Sequence, residues 1–312
     1  MAKFQEFTFP SSDGIHQCYA CKWLPDEGAP RAVVQLVHGV SEYVGRYDHF
    51  ARFLADRGYA VCGEDHLGHG NTAKQDSKFG WFAKQDGWTL VTADVRALRQ
   101  LMGAEYPGVP YIMMGHSMGS FLTRTYLCRY PSTVDGAILS GTGQEGAALV
   151  AAGKAIASAI AAVKGSDVVS PLVNSLSLGA YNKQFAPNRT TADWISRDEG
   201  VVDAYLKDPF CSAVPTVGLY RDMLGGLQYI SSRRALSQMD PNTPVYIFSG
   251  DRDPVGSNGA GVKKVYGYFE RQGTKDLSMK LYAGGRHEML NEINKEEVYA
   301  DVLAWLDGHV KG

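Results

Sequence analysis

The sequence predicts an α/β fold, a mostly parallel sheet with helices on both faces and an inserted helical cap. Short β-branched runs alternate with longer segments of helical periodicity through residues 1–143, and the alternation resumes through 237–312. Parallel strands that are buried on both faces have this composition, and the helices that connect them cover the sheet. Residues 144–236 contain helix-like segments without a buried strand-like run. We therefore predict a core formed by 1–143 and 237–312 and a cap formed by 144–236.

The predicted elements follow one another in a regular order. Residues 3–9 and 15–24 are strand-like and are joined by the turn sequence Ser11-Ser-Asp-Gly14, so the sheet should begin with an antiparallel pair. After this pair, strands and helices alternate. The further strands are expected at 32–37, 59–62, 111–114, 134–139, 244–248 and 277–282, and the core helices at 47–57, 88–106, 118–129, 261–271 and 295–306.

Charge and composition disfavour several classes of protein. The chain of 312 residues has 31 basic and 33 acidic side chains, a formal net charge of -2 and 45% hydrophobic residues. It has no basic excess to neutralise a phosphate backbone, so nucleic acid is not an expected partner. The first residues form no apolar signal segment and the five cysteines are an odd number, which favours a cytoplasmic protein with reduced thiols.

The longest apolar stretch, residues 147–163, has two interpretations. Lys154 lies in its middle, and a charge at bilayer depth costs roughly 2.5 to 3.5 kcal/mol, so no membrane span is expected. In a helix, four of its large side chains form one stripe, namely Leu149, Ile156, Ile160 and Val163. Either the stripe packs on its own domain, or part of it faces an active-site entrance, admits an apolar substrate and could contact lipid.

The segment Gly115-His-Ser117-Met-Gly119 fits the pattern Gly-x-Ser-x-Gly and lies where a predicted buried strand passes into a helix. A nucleophilic serine requires this geometry, because a tight strand-to-helix turn lifts its hydroxyl clear of the sheet. Glycine on both sides avoids clashes with neighbouring backbone. Ser117 is therefore the candidate nucleophile.

A serine nucleophile needs a base within hydrogen-bond reach, and the base needs an acid that holds its tautomer. His287 follows the last predicted strand, so it falls at the same carboxyl edge of the sheet as Ser117. The strand before it is followed by two aspartates, Asp251 and Asp253. We favour Asp253 as the acid because it lies farther out in the loop, where it could turn toward His287, while Asp251 could hold the loop.

Two backbone N–H groups should stabilise the oxyanion that forms during acyl transfer. Met118 supplies one of them, at the N-terminus of the helix that follows the nucleophile. The other should come from the loop after the strand that ends at His38. Val40 is the candidate there, and Gly39 permits a close approach of the loop.

Two further patterns could indicate a metal or a nucleotide. His66 and His69 are three residues apart, but the glycines at 68 and 70 predict an irregular loop, so no metal site is expected. Gly141-Thr-Gly143-Gln-Glu-Gly146 fits the dinucleotide pattern Gly-x-Gly-x-x-Gly, yet no clear second strand ends in an acidic residue about 20 positions later. We expect neither a cofactor nor a metal.

Five signatures occur in order over nearly the whole chain outside the cap: His38-Gly-Val-Ser-Glu42, Asp65-His-Leu-Gly-His-Gly70, Gly115-His-Ser-Met-Gly119, Gly250-Asp-Arg-Asp253 and Gly284-Gly-Arg-His287. Together they resemble the α/β-hydrolase superfamily, in its branch of monoacylglycerol lipases, lysophospholipases and related serine hydrolases. The resemblance implies the α/β-hydrolase fold with a cap after the sixth core strand. It also implies the roles of the site residues: Ser117 as nucleophile, Asp253 as acid, His287 as base, and the N–H groups of Val40 and Met118 as oxyanion donors. The branch often has a small residue and then glycine after His-Gly, where this chain has Val40 and Ser41.

These residues predict a cofactor-free serine carboxylester hydrolase that forms an acyl-enzyme with small to medium esters, such as monoacylglycerols or lysolipids. A capped peptidase of the proline iminopeptidase type, or a C–C bond hydrolase, is an alternative on the same fold. An aminopeptidase needs clustered carboxylates in the cap to bind a free ammonium; the candidates are Glu145, Asp167, Asp193, Asp198, Glu199 and Asp203. A ligand receptor that retains the fold and a slow triad is a further alternative.

Overall fold

One sheet of eight strands forms the centre of the computed structural model, which describes residues 2–211 and 213–310. Met1, Ser212, Lys311 and Gly312, which fall within the predicted domain ranges, lie outside the described residues. The strands are β1 (Lys3–Pro10), β2 (Gln17–Leu24), β3 (Val33–Val37), β4 (Ala60–Glu64), β5 (Tyr111–His116), β6 (Gly136–Ser140), β7 (Val245–Gly250) and β8 (Leu277–Tyr282). Their order across the sheet is β1-β2-β4-β3-β5-β6-β7-β8. β2 pairs antiparallel with β1 and β4, and the other neighbours are parallel.

The central strands are buried because layers of helices cover both faces of the sheet. Every residue of β3, β4, β5, β6 and β7 is buried. Along β3, Val33 and Val37 belong to one apolar cluster, whereas Val34 and Leu36 belong to another. This period of two residues divides the core into two layers, one on each face.

The helices of the described residues are α1 (Asp48–Ala55), α2 (Gly70–Ala73), α3 (Gly87–Glu105), α4 (Met118–Arg129), α5 (Ala147–Lys164), α6 (Pro171–Leu176), α7 (Leu178–Tyr181), α8 (Glu199–Lys207), α9 (Val217–Ile230), α10 (Arg233–Leu236), α11 (Ala260–Arg271) and α12 (Lys295–His309). Phe50 of α1 and Val302 of α12 belong to one of the two apolar clusters. Val95 of α3, Leu122 of α4 and Val262 of α11 belong to the other. The predicted α/β class, with a mostly parallel sheet between two helical layers, is confirmed.

Residues 144–236, the segment predicted to form the cap, connect β6 to β7 and contain α5 to α10. An isolated antiparallel bridge between Val169 and Thr216 links the first half of this segment to the second. Helices therefore occupy the position expected for the cap, while the limits of the two domains stay a prediction.

Helix α5 packs against α9, and Lys154 of α5 donates to the side-chain oxygen of Gln228 in α9 at 3.0 Å. Val150 and Ala157 are the buried residues of α5. Leu149, Ile156 and Val163 are exposed by 63%, 41% and 85%. The interpretation in which the apolar stripe packs on its own domain is therefore wrong for these three side chains. Ile160, the fourth residue of the stripe, is partly buried and packs against the apolar cluster that includes Ala157, as that interpretation expects.

Candidate active site

Ser117 lies in a strained turn between β5 and α4. Its backbone has φ of 54° and ψ of -122°, a region that residues with a side chain rarely adopt. The turn is held by the Ser117 N–H, which donates to the Ser140 carbonyl at 2.9 Å. A Cβ on Gly119 would lie 1.9 Å from the Val37 carbonyl oxygen, so only glycine permits this contact between α4 and the end of β3. These contacts explain the glycine at position 119 and the tight turn that directs Ser117 away from the sheet.

His287 and Asp253 are in direct contact at the carboxyl edge of the sheet. The Nδ1 atom of His287 lies 3.0 Å from both carboxylate oxygens of Asp253. The carboxylate also accepts hydrogen bonds from the Ser249 hydroxyl and the Val255 N–H, each at 2.9 Å. Both residues are buried. This arrangement fixes the carboxylate and directs the Nε2 atom of the imidazole away from it.

The other candidate acid, Asp251, has a different partner. Its Oδ1 atom accepts a hydrogen bond from the Gly284 N–H at 2.7 Å. Asp251 therefore ties the loop after β7 to the loop that carries His287. The structure brings Asp253, and not Asp251, against the imidazole.

Charges around His287 favour its protonated form. Burial of the ring opposes protonation, but the adjacent Asp253, and then Glu288 and Glu42, outweigh burial and raise the pKa of His287 above its usual value. The ring of His116 lies 4.6 Å from that of His287. Burial and the proximity of His287 hold the pKa of His116 well below its usual value. A neutral His116 therefore lies beside an imidazole that accepts a proton readily.

The loop after β6 brings His287 next to the turn of Ser117. Gly141 has φ of 57°, and a Cβ there would lie 3.0 Å from the Cε1 atoms of both His116 and His287. A Cβ on Gly143 would lie 2.2 Å from the Val255 carbonyl oxygen. Close packing of the loops of this site therefore accounts for two glycines of the dinucleotide-like pattern. In the described part of the chain, no direct hydrogen bond joins the Ser117 hydroxyl to His287. Such bonds are often long in ligand-free enzymes and tighten in the complex.

The loop after β3 approaches Ser117 from the other side. A Cβ on Gly39 would lie 3.0 Å from the Cβ of Ser117, and Val40 follows Gly39 directly. Met118 is the first residue of α4, where the helix itself provides no acceptor for the N–H. Ser41 has φ of 55° and its hydroxyl donates to the Ala213 carbonyl at 2.8 Å, which ties this loop to the cap segment. Val40 thus belongs to a loop that borders Ser117, and Met118 directly follows Ser117 at the start of α4.

The cap segment supports His287 through an aromatic residue that the sequence analysis did not identify. The ring of Trp194 lies 5.0 Å from the His287 ring, and the ring of Tyr181 lies 5.1 Å from Trp194. The Trp194 carbonyl accepts the His287 N–H at 3.4 Å. Trp194 lies in an irregular segment before α8, so no periodic pattern in the sequence could have indicated its position.

Two cavities border these residues. One, of about 330 Å³, is lined mainly by apolar side chains of the cap segment together with Phe121, one turn after Ser117, and Val255, two residues after Asp253. The other, of about 660 Å³, is bordered by Ser41, Trp194 and several polar side chains of the cap segment. The apolar cavity therefore adjoins the elements that carry Ser117 and Asp253, and the more polar cavity adjoins the loop after β3 and Trp194.

The histidines at 66 and 69 lie under the loop after β3. The ring of His66 stacks on that of His38 at 3.9 Å, and its backbone N–H donates to His38 Nε2 at 3.0 Å. Burial lowers the pKa of His66 to about 4 and that of His69 to about 3. Among residues 2–211 and 213–310, no group of three His, Cys, Asp or Glu side chains has a metal-binding arrangement. These rings pack as neutral aromatic groups.

Comparison with known proteins identifies the family. Residues 28–294 match the family described as serine aminopeptidase, S33. The chain is 30% identical to a monoacylglycerol lipase of Mycolicibacterium smegmatis over 98% of both chains, and 26% identical to the monoglyceride lipase of Homo sapiens over 95% of this chain and 88% of that protein. It superimposes on a thermostable carboxyl esterase from Bacillus coagulans, solved in complex with glycerol, with a TM-score of 0.92 over all of both chains and 28% identity. The chain therefore belongs to the S33 serine aminopeptidase family of α/β-hydrolases, within its monoacylglycerol lipase-like branch.

Proposed function

We propose that the chain hydrolyses carboxylic esters through an acyl-enzyme on Ser117, with His287 as the base and Asp253 as the acid. The observation that carries the proposal is the buried Asp253–His287 pair, joined at 3.0 Å, beside a serine held at positive φ. The relatives described as monoacylglycerol lipases and the carboxyl esterase with the same fold support a carboxylester hydrolase.

The proposed reaction has two stages. His287 Nε2 takes the proton of Ser117 as its Oγ atom attacks the ester carbonyl, and the N–H groups of Val40 and Met118 bind the resulting oxyanion. The intermediate collapses as His287 returns the proton to the leaving alcohol, which leaves the acyl group on Ser117. Water then attacks the acyl group, His287 accepts the proton of that water, and collapse releases the acid and restores the serine. Each oxyanion donor contributes about 10²- to 10³-fold in rate in such sites.

The cavity of about 330 Å³ suits the acyl chain of a medium-length ester. Its lining includes Leu149, Ile156 and Leu224, and it extends from Phe121, beside the nucleophile. The more polar cavity of about 660 Å³, next to Ser41, suits the glycerol or headgroup of the leaving alcohol. We therefore propose monoacylglycerols or lysolipids as the substrate class.

Replacing Ala180, which lines the smaller cavity, by phenylalanine is expected to shift the acyl-length preference toward short chains. Each methylene excluded from an apolar site costs about 0.8 kcal/mol, so displacement of two should lower kcat/KM for a C12 ester about tenfold relative to a C4 ester. The measurement is kcat/KM over p-nitrophenyl esters from C2 to C16. Ala159→Phe, at an exposed position of α5 away from the cavity, is the matched control. Cleavage of proline β-naphthylamide without ester turnover would contradict the ester function itself.

Most of the cap carboxylates that an aminopeptidase would need for the substrate ammonium already contact other groups of the cap segment. Asp193 accepts the N–H groups of Arg189 and Thr190, and Asp198 accepts that of Gly200 at the start of α8. Asp203 pairs with the guanidinium of Arg189 at 2.7 Å, and Glu199 lies 3.9 Å from it. Four of the six candidates are thus occupied by contacts within the cap segment, which favours an ester substrate.

We also propose that an exposed apolar face of the cap segment contacts lipid surfaces. In the described residues α5 is the one helix whose length and mean hydropathy of 1.6 would suit a membrane span, and only 11% of it is buried. On α6, Leu172 and Leu176 are exposed by 57% and 66%. Leu149, Ile156 and Leu176 also line the smaller cavity, so this face surrounds its entrance. A lipid surface against the face would deliver an acyl chain directly to the cavity.

The double variant Val163→Glu and Leu172→Glu introduces two charges on this face. It should bind phosphatidylcholine vesicles roughly tenfold or more weakly, because each substitution removes a large apolar side chain that the lipid would bury. Neither residue lines the cavity, so turnover of a soluble C4 ester should stay unchanged. Co-sedimentation with vesicles measures the binding. Ile15→Glu, at a residue that is 81% exposed in the β1–β2 turn, is the control. Equal partitioning of all variants would exclude the lipid contact.

A further inference from the structure

A buried arginine joins the two loops that carry the proposed base and one proposed oxyanion donor. Arg46 donates from both terminal nitrogens to the two carboxylate oxygens of Glu288, each at 2.7 Å. One of the same nitrogens donates to Oε2 of Glu42 at 3.1 Å. The side chains of Arg46, Glu42 and Glu288 are exposed by only 11%, 6% and 6%. The mechanism proposed above uses none of these three residues.

Through Glu42, the contacts of Arg46 extend to the loop after β3, which carries the proposed oxyanion donor Val40. The other oxygen of Glu42, Oε1, accepts the N–H of Gly39 and the hydroxyl of Tyr47, the latter at 2.9 Å. Gly39 directly precedes Val40, and a Cβ at Gly39 would lie 3.0 Å from the Cβ of Ser117. Glu42 therefore sets the position of the peptide next to the proposed donor.

On the other side, the contacts lead to the base. Glu288 follows His287 in the chain, and its N–H donates to the Ile195 carbonyl at 2.7 Å. Its Oε2 atom also accepts from the Asn291 amide at 3.0 Å. The guanidinium of Arg46 stacks over the ring of Tyr205 from the cap segment at 5.0 Å. One planar cation thus fixes the separation of two loops whose residues are 242 positions apart in the chain.

The network also places negative charge beside His287. Burial opposes ionisation of Glu288, but Arg46 outweighs it and lowers the pKa of Glu288 to about 2. Asp253, Glu288 and Glu42 raise the pKa of His287, the neutral ring of His116 lies against it, and the Arg46 cation contacts Glu288 at 2.7 Å. Protonated His287, which forms while the serine attacks, is therefore stabilised by Glu288 in addition to Asp253.

We propose that Arg46 and Glu288 are positioning residues. They hold the loop after β3, which carries Val40, and His287 at fixed positions around Ser117. They also keep the negative charge of Glu288 close to the protonated imidazole of His287. The inference rests on the proposed esterase function. Arg46 determines how the two loops are positioned, because only a planar guanidinium can form two parallel hydrogen bonds with Glu288 and also contact Glu42. Glu288 affects both the position of His287 and the negative charge close to its imidazole. The two residues can therefore be tested separately.

Arg46→Lys keeps the positive charge but cannot bridge both carboxylates in the same geometry. A displacement of about 1 Å near a reacting group can cost 10²-fold, so we expect kcat to fall about 10- to 100-fold with KM within about threefold. The acid limb of the pH profile of kcat/KM should not shift, because the negative charge of Glu288 close to His287 is still present. Arg52→Lys is the control, since Arg52 forms a comparable pair with Asp48 at 2.8 Å on the exposed side of α1 and should leave kcat unchanged.

Glu288→Gln keeps the shape of the side chain and removes its charge. His287 must be neutral to accept the serine proton, and loss of the neighbouring anion lowers its pKa. The acid limb of kcat/KM should therefore move to lower pH than in the unmodified enzyme, which a purely structural role would not cause. If Arg46→Lys fails to fold by circular dichroism, this shift alone decides the proposal.

The outcomes separate this inference from the proposed function. If a fluorophosphonate does not label Ser117 in the unmodified enzyme, the esterase proposal fails. If it labels Ser117, but Arg46→Lys keeps full kcat and Glu288→Gln keeps the pH profile, the esterase proposal stands and the positioning role is refuted.

Discussion

Replacement of Ser117 by alanine is expected to lower kcat for carboxylic esters by about 10⁴- to 10⁶-fold. Without the hydroxyl no acyl-enzyme can form, and the residual rate comes from the oxyanion donors acting on water. The backbone should not change, because alanine has the same Cβ as serine at this strained position. The measurements are the steady-state rate with p-nitrophenyl esters and the labelling of the variant by a fluorophosphonate.

Ser132 provides a matched control for this variant. It also has positive φ, at 58°, but it is exposed and its hydroxyl donates to Asp240 at 2.6 Å, in contact with none of the proposed site residues. Ser132→Ala should retain full activity, because this serine lies outside the proposed site and its partner is a carboxylate rather than an imidazole. Full ester turnover by Ser117→Ala, or labelling of another residue, would refute the assignment of the nucleophile.

Asp253→Asn should lower kcat about 10⁴-fold, the size of effect known when the acid of a serine triad becomes an amide. The asparagine amide would donate to His287 Nδ1, so the imidazole proton would move to Nε2, where the ring must accept the serine proton. The fold should remain, because the asparagine oxygen can still accept from the Val255 N–H, which lies 2.9 Å from the carboxylate. The measurements are kcat, the rate of fluorophosphonate labelling and the melting temperature.

Asp251→Asn is the control for the acid. Its side-chain oxygen can still accept the Gly284 N–H that Asp251 now accepts at 2.7 Å, so activity should stay within a few fold. A larger loss of kcat in Asp251→Asn than in Asp253→Asn would reverse the assignment of the acid.

The sequence predicts the core well because its elements have sharp local boundaries. The helix expected at 118–129 and the strand expected at 277–282 coincide with α4 and β8. Both have clear limits in the sequence: the Gly-x-Ser-x-Gly motif marks the start of α4, and a pair of glycines, Gly284 and Gly285, follows shortly after the end of β8. The packing side of α5 could not be predicted from the size of its apolar residues, because Val150 and Ala157 are buried while Leu149, Ile156 and Val163 are exposed.

Parts of the candidate site follow from the sequence for a topological reason. Ser117, Asp253 and His287 each follow a predicted parallel strand, and such strand ends meet at one edge of the sheet. Trp194, Arg46 and Glu288 have no comparable signal. Their contacts join loops far apart in the chain, and a sequence without periodicity in those loops does not reveal which side chains will meet.

Rapid mixing with an excess of a medium-chain p-nitrophenyl ester, followed by acid quench and peptide mapping by mass spectrometry, tests the central claim most directly. A burst of about one equivalent of p-nitrophenol, with the matching acyl mass on the peptide that contains Ser117, is the result we predict. Steady hydrolysis with no acyl group on any peptide, or an acyl group on another residue, would contradict it.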